Sequence, residues 1–109
     1  MTVSDLINKL DLKLVAGADG LDHAISGCYI CDLLSLVMSN SSSGNVWVTV
    51  QTNINVVAVA ALTDAACVVI AENSQLEPIA VSKADKEGIA VLSTHMTAYE
   101  IACKLKDVL

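Results

Sequence analysis

Cys28 and Cys31 form a C-x-x-C pair, the spacing of redox dithiols and of half a zinc site. Zinc would need a second pair or two closely spaced histidines, yet Cys67 and Cys103 are isolated and His23 and His95 lie far apart. A redox pair opens a helix after a strand. This pair lies in residues 25–31, which read as strand, and residues three apart on a strand face opposite sides. Reduced, buried, structural thiols are therefore expected, with a thiol redox or metal accessory role as the alternative. No G-x-S-x-G elbow, P-loop or G-x-G-x-x-G turn occurs. His95 is the type of side chain that can act as acid or base, but no nucleophile, base and orienting group assemble around it. Neither enzyme activity nor a bound metal or cofactor is expected.

The remaining candidates are polar residues set at regular intervals, and their meaning depends on the elements that carry them. Val3, Leu6, Ile7 and Leu10 recur at helical spacing, predicting a helix over residues 2–10 capped by Thr2 or Ser4. Residues 13–16 read as a short strand, followed by a turn at Gly17, Ala18, Asp19 and Gly20. A strand over 25–31 precedes a helix over 33–38 that Asp32 can cap. A serine-rich loop then ends at Gly44 and Asn45. A β-branched strand at 46–50 leads through Gln51, Thr52 and Asn53 into a helix at 54–62, capped by Thr52 or Asn53. Residues 67–71 read as a fully buried strand, 77–87 as a helix with Pro78 in its first turn, and Gly88 as its stop. A last strand at 89–92 and a helix capped by Thr94 or Thr97, reaching about residue 108, complete the chain.

Strands alternating with helices at this spacing are βαβ units, whose right-handed crossovers place helices on both faces of a parallel sheet. The opening segment adds an antiparallel edge. The fold expected is a three-layer αβα unit of α/β class with a mixed, largely parallel sheet of about five strands. In such sheets ligands sit beyond the carboxyl ends of the strands. That rule gathers Asp32; Gln51, Thr52 and Asn53; Glu72 and Asn73; and Thr94 and His95 on one rim. The set is polar and mostly neutral, which suits a small polar ligand. Capping and turn formation alone also account for Asp32, Thr52, Asn53 and Thr94.

Composition narrows the partners. The chain of 109 residues is sized for one domain. It is 54% hydrophobic and 17% charged, which excludes disorder. It has no Arg and a net charge of −6, which disfavours nucleic acid and anionic membranes. The longest apolar zone, residues 54–71, is broken by Thr63 and Asp64. It reads as helix plus buried strand rather than a membrane span. The N-terminus has neither the basic start nor the apolar stretch of a signal peptide, so a cytoplasmic protein is expected. So much apolar surface in so small a body predicts a homodimer. Tyr29 and Trp47 are candidates for that interface or for the core.

Three strings carry a family resemblance. Gly27-Cys28-Tyr29-Ile30-Cys31-Asp32-Leu33-Leu34-Ser35, Val46-Trp47-Val48-Thr49-Val50-Gln51-Thr52, and Glu87-Gly88-Ile89-Ala90-Val91-Leu92-Ser93-Thr94 with Thr97-Ala98-Tyr99-Glu100 resemble a DRTGG domain of the short, stand-alone type. The likeness covers residues 1–109. It implies the αβα fold of the HPr kinase/phosphorylase N-terminal domain. It also implies a non-catalytic regulatory or assembly module that dimerises, accessory to hydrogenase and electron-transfer proteins of anaerobic bacteria. A small-ligand, nucleotide-like sensor is the alternative. The name-giving acidic–basic pair would fall at Gln51, Thr52 and Asn53, and the Thr-Gly-Gly portion at Glu72 and Asn73. The positive charge is missing there and a carboxylate has arrived, which argues against an anionic ligand.

Overall fold

The computed structural model describes residues 1–109. The elements are α1 (Val3–Leu10), β1 (Lys13–Ala16), β2 (Gly27–Ile30), α2 (Leu34–Asn40), β3 (Asn45–Thr49), α3 (Ile54–Leu62), β4 (Cys67–Ile70), α4 (Pro78–Glu87), β5 (Val91–Ser93) and α5 (Ala98–Val108). They build one five-stranded sheet in the order β1-β5-β4-β3-β2. All neighbours are parallel except β1, which runs antiparallel to β5. The α/β three-layer fold and its mixed sheet are as the sequence predicts.

The route to three layers differs from the expected one. The parallel strands follow one another in a single direction, β2 to β5. Right-handed crossovers that all step the same way leave their helices on the same face. Thus α2, α3 and α4 bury Val37, Val56, Val57, Val59, Ala60, Ala80 and Ala84 against Trp47, Val68, Ile70 and Val91 on one side of the sheet. The other side presents Val46, Val48, Cys67, Val69 and Leu92. The helices from the two ends of the chain cover it, α1 through Val3, Leu6 and Leu10 and α5 through Ile101 and Leu105. Both helices are closed at their N-termini by capping boxes, Thr2 with Asp5 and Thr97 with Glu100. The helix and strand expected in the apolar zone 54–71 are α3 and β4, and no helix is long and apolar enough to cross a membrane.

Several boundaries move for local reasons. Residues 24 and 25 do not extend β2. Ala24 bridges Thr2, and the Ile25 N–H donates to the Met1 carbonyl at 2.9 Å. The last strand is Val91–Ser93, not 89–92. Of the alternative caps, Asn53 takes α3 and Thr97 takes α5. Gly17 has φ +76° and stands against the backbone of Ile89 and Ala90, where any Cβ would collide with the Ile89 carbonyl. Its N–H donates to Asp85 Oδ1 at 2.7 Å, which ties the turn after β1 to α4.

Trp47 is wholly buried, so it belongs to the core rather than to an interface, and its indole N–H donates to the Cys31 carbonyl at 2.9 Å. Trp47→Phe removes that donor and part of the packed volume. Urea denaturation followed by circular dichroism is expected to show a loss of about 1–3 kcal/mol. An unchanged midpoint would contradict the packing described.

Candidate functional site

The carboxyl ends of β2, β3, β4 and β5 share one rim, and each expected residue can be placed on it. Asp32 does not cap α2. The cap position falls on Leu33, with no side-chain bond. The reason is a stronger pair of donors across the sheet. Asp32 Oδ1 accepts from the Thr49 hydroxyl at 2.7 Å and from the Val50 N–H at 2.9 Å. Gln51 Nε2 donates to the Asp32 carbonyl at 3.1 Å, and Asn53 Nδ2 donates to Gln51 Oε1 at 3.4 Å. Asn53 Oδ1 is meanwhile occupied by the Asn55 N–H. The Thr52 carbonyl accepts from the Glu77 N–H at 3.0 Å, which joins this loop to the start of α4. On the β2–β3 side, the polar groups therefore satisfy one another.

The β4–β5 side is built differently. Glu72 and Asn73 both adopt left-handed backbone, with φ 57° and 58°. Their N–H groups donate to the Met96 and Thr94 carbonyls, each at 2.9 Å. Two consecutive non-glycine residues in this region cost roughly 1–2 kcal/mol each. Glycine adopts it freely, so Glu72 and Asn73 hold a backbone conformation that glycine would take without this cost. Thr94 is buried, and its hydroxyl accepts from the Met96 N–H at 3.2 Å.

A cleft of about 290 Å³ opens beside this turn, lined by Lys13, Val15, Ile70, Asn73, Ser74, Gln75, Leu76 and Ser93. It lies where strand direction reverses, since β1 pairs antiparallel with β5 and sets Lys13 opposite Ser93. The register slips between Leu14 and Ala16, a bulge that leaves Val15 beside the cleft. The rim thus does hold a cation, contrary to the expectation from the loops alone. The missed residues are Lys13, Ser74, Gln75 and Ser93. The antiparallel edge predicted for 13–16 was the signal for Lys13, because it brings the start of β1 to the strand-end rim. A second hollow of about 200 Å³ contains Thr94 and His95 with Asp11, Glu100 and Lys104. Asp32, Gln51, Thr52, Asn53 and Glu72 line neither.

The C-x-x-C thiols separate. Cys28 packs against the α1–α5 side and Cys31 against the other. Residues three apart on a strand span about 10 Å, beyond the ~7 Å reach of a disulfide. Both are half-buried rather than fully buried, whereas Cys67 is fully buried and Cys103 is exposed. Burial pushes the Cys28 thiol up to about 11 and the Cys67 thiol up to about 12, away from thiolate reactivity. No group of three or more His, Cys, Asp and Glu side chains stands close enough to hold a metal ion.

No family model matches the chain, and no curated protein matches it either. Among solved structures, the fold is similar to the CBS and DRTGG domains of the regulatory region of Clostridium perfringens pyrophosphatase, complexed with its activator diadenosine tetraphosphate. The TM-score is 0.75 at 8% identity, over 95% of this chain. The chain spans 45% of that one, so the likeness concerns a part of that regulatory region. What the likeness shows is the fold, an α/β unit with a five-stranded, mostly parallel sheet covered by helices on both sides.

The turn at Glu72 allows a direct check. Glu72→Val places a β-branched side chain in the left-handed region and is expected to lower stability by about 1–2 kcal/mol, whereas Glu72→Gly stays within about 1 kcal/mol of the parent. Thermal melts of the two variants compare them. Equal melting points would show that the left-handed turn is absent.

Proposed function

We propose that residues 1–109 act as one non-catalytic, homodimerising regulatory module of DRTGG type. Its rim cleft takes a small polar, nucleotide-like ligand. The observation that carries this reading is the cleft itself. It combines one ammonium, from Lys13, with the amides of Asn73 and Gln75, the hydroxyls of Ser74 and Ser93, and an apolar wall of Val15, Ile70 and Leu76. Lys13 would meet the ligand's anionic group, the amides and hydroxyls would read its polar edge, and the wall would pack against its body. Its neighbours can hold but not react, since no activated nucleophile stands among them. The left-handed Glu72-Asn73 turn at its lip supports a binding role, because such strain gathers at ligand sites. A volume near 290 Å³ is at the small end for ligand pockets. It suits one nucleotide unit rather than the dinucleoside polyphosphate bound by the pyrophosphatase region.

Dimerisation is supported by the open edge strand β2. Ile30, Leu33, Leu36 and Leu109 are 43%, 58%, 43% and 49% exposed. An apolar groove formed by Cys28, Ile30, Ala102, Leu105, Lys106 and Leu109 lies at the same edge. The strand itself, Gly27–Ile30, carries no charged side chain, and such an edge is a site for pairing. The accessory role beside hydrogenase and electron-transfer proteins, and a cytoplasmic location, rest on the sequence resemblance and composition.

Two measurements test the proposal separately. Light scattering on a sizing column is expected to give about twice the 11.4 kDa chain mass, with Leu33→Glu reducing it to one chain whose far-UV circular dichroism matches the parent's. A monomer for the parent protein contradicts the dimer. A thermal-shift panel of nucleoside mono-, di- and triphosphates is expected to raise the melting point of the parent protein, because a ligand of the native state stabilises it. Lys13→Ala, on an exposed side chain, is expected to abolish the shift. A panel without any shift contradicts the ligand site.

A further inference from the structure

The pole opposite the rim carries a side-chain cluster that the function above does not use. His23 precedes β2, Ser43 lies in the loop before β3, and Asp64 lies in the turn before β4, itself left-handed at φ 53°. His23 Nε2 lies 3.0 Å from Asp64 Oδ1, and His23 Nδ1 lies 2.9 Å from the Ala24 carbonyl oxygen. The Ser43 hydroxyl donates to Asp64 Oδ2. This is not a hydrolytic triad. The carboxylate stands between hydroxyl and imidazole, so the ring cannot take the hydroxyl proton.

The decisive feature is that both ring nitrogens face acceptors. A neutral imidazole carries one N–H and can serve only one of them. The imidazolium carries two and serves both. We infer that His23 is a pH-operated clasp. As the imidazolium it ties the N-terminal strap to Asp64 through Nε2 while Nδ1–H is held by the Ala24 carbonyl of the strap itself. Deprotonation removes the positive charge and one of the two N–H groups, weakening the tie to Asp64. The strap is the stretch that lies against α1. The Val3 N–H donates to the His23 carbonyl at 3.1 Å, and the Ser4 N–H donates to the Leu21 carbonyl at 3.0 Å. On the loop side, the Gly44 N–H donates to the Asp64 carbonyl at 2.8 Å.

The charges around the ring are few. From the turn before β4 comes Asp64. No other charged group acts on the ring: Asp5 of α1 is engaged by the Thr2 N–H instead. The loop before β3 contributes only neutral hydroxyls. The Asp64 hydrogen bond, followed by that to the Ala24 carbonyl, raises the His23 pKa above its ordinary 6.5. The hydrogen bond from His23, followed by that from Ser43, holds Asp64 below its ordinary 3.8. With the histidine raised, its stabilisation is complete below 6.5 and is lost as pH rises through the folded value. With the aspartate lowered, its share is present above 3.8 and is lost as pH falls through its folded value.

Proton NMR of the full chain can follow its two imidazoles, with His95→Gln assigning them. His23 is expected to titrate above 6.5 in the parent. Asp64→Asn keeps the acceptor oxygen and suits left-handed backbone, but it removes the charge. The His23 midpoint is then expected to fall toward its ordinary 6.5, because the largest cause of the rise is gone. Above the parent midpoint, Val3 and Gly44 amide exchange should quicken several-fold beyond its ordinary rise with pH, and Asp64→Asn should move that step to lower pH. A parent His23 midpoint at or below 6.5, or exchange at Val3 and Gly44 with no step at the midpoint, overturns the clasp.

Discussion

The structure depends on two strands that have no side to show to water. Every residue from Val46 to Thr49 in β3, and all of β4, is buried, so the sheet must be covered on both faces. Crossovers stepping in one direction cover only one of them. The second cover is left to the two ends of the chain, and α1 and α5 supply it. Bringing the first helix across the sheet also brings β1 back antiparallel along β5. That reversal delivers Lys13 to the rim. The only cation of the cleft is thus a consequence of how the lower face of the sheet is hidden.

The rim then divides by what its polar groups have left to do. Between β2 and β3, Asp32, Thr49, Gln51 and Asn53 are bound to one another or to nearby backbone. Such a network fixes loops and offers little to a ligand. Between β4, β5 and β1, the backbone of Glu72 and Asn73 is spent on holding the turn, while the side chains around the cleft remain outside any hydrogen bond to the protein. A cleft of neutral amides and hydroxyls with one ammonium can recognise a molecule, but it contains no group poised to attack one. The chain is strongly acidic with its lysines near the two ends, which is why the proposed function gives that single ammonium the part of anchor for an anionic group.

Much of this was legible in the sequence. Helical spacing of Val3, Leu6 and Leu10, the buried strand at Cys67–Ile70 and the stop at Gly88 each have one dominant local cause, and all appear where expected. Capping was legible only in part. Asp32 has the right type and place for a cap, yet two donors from the neighbouring strand outbid the helix, and strand pairing is a long-range fact. The left-handed pair at Glu72 and Asn73 was hidden because neither residue is glycine. Trp47 could not be assigned to core or interface until the face it occupies was known. The cleft residues Ser74, Gln75 and Ser93 have no motif, and only the meeting of β1 with β5 gives them a common purpose.

The central claim is that the place where strand direction reverses is the working surface of the molecule. A titration of the isotopically labelled protein with a nucleoside monophosphate, followed by backbone amide shifts, locates the contact directly. The account predicts shifts concentrated at Lys13, at residues 73–76 and at Ser93. Saturable binding whose shifts centre on Asp32 and Gln51, or no shifts at any concentration, would contradict it.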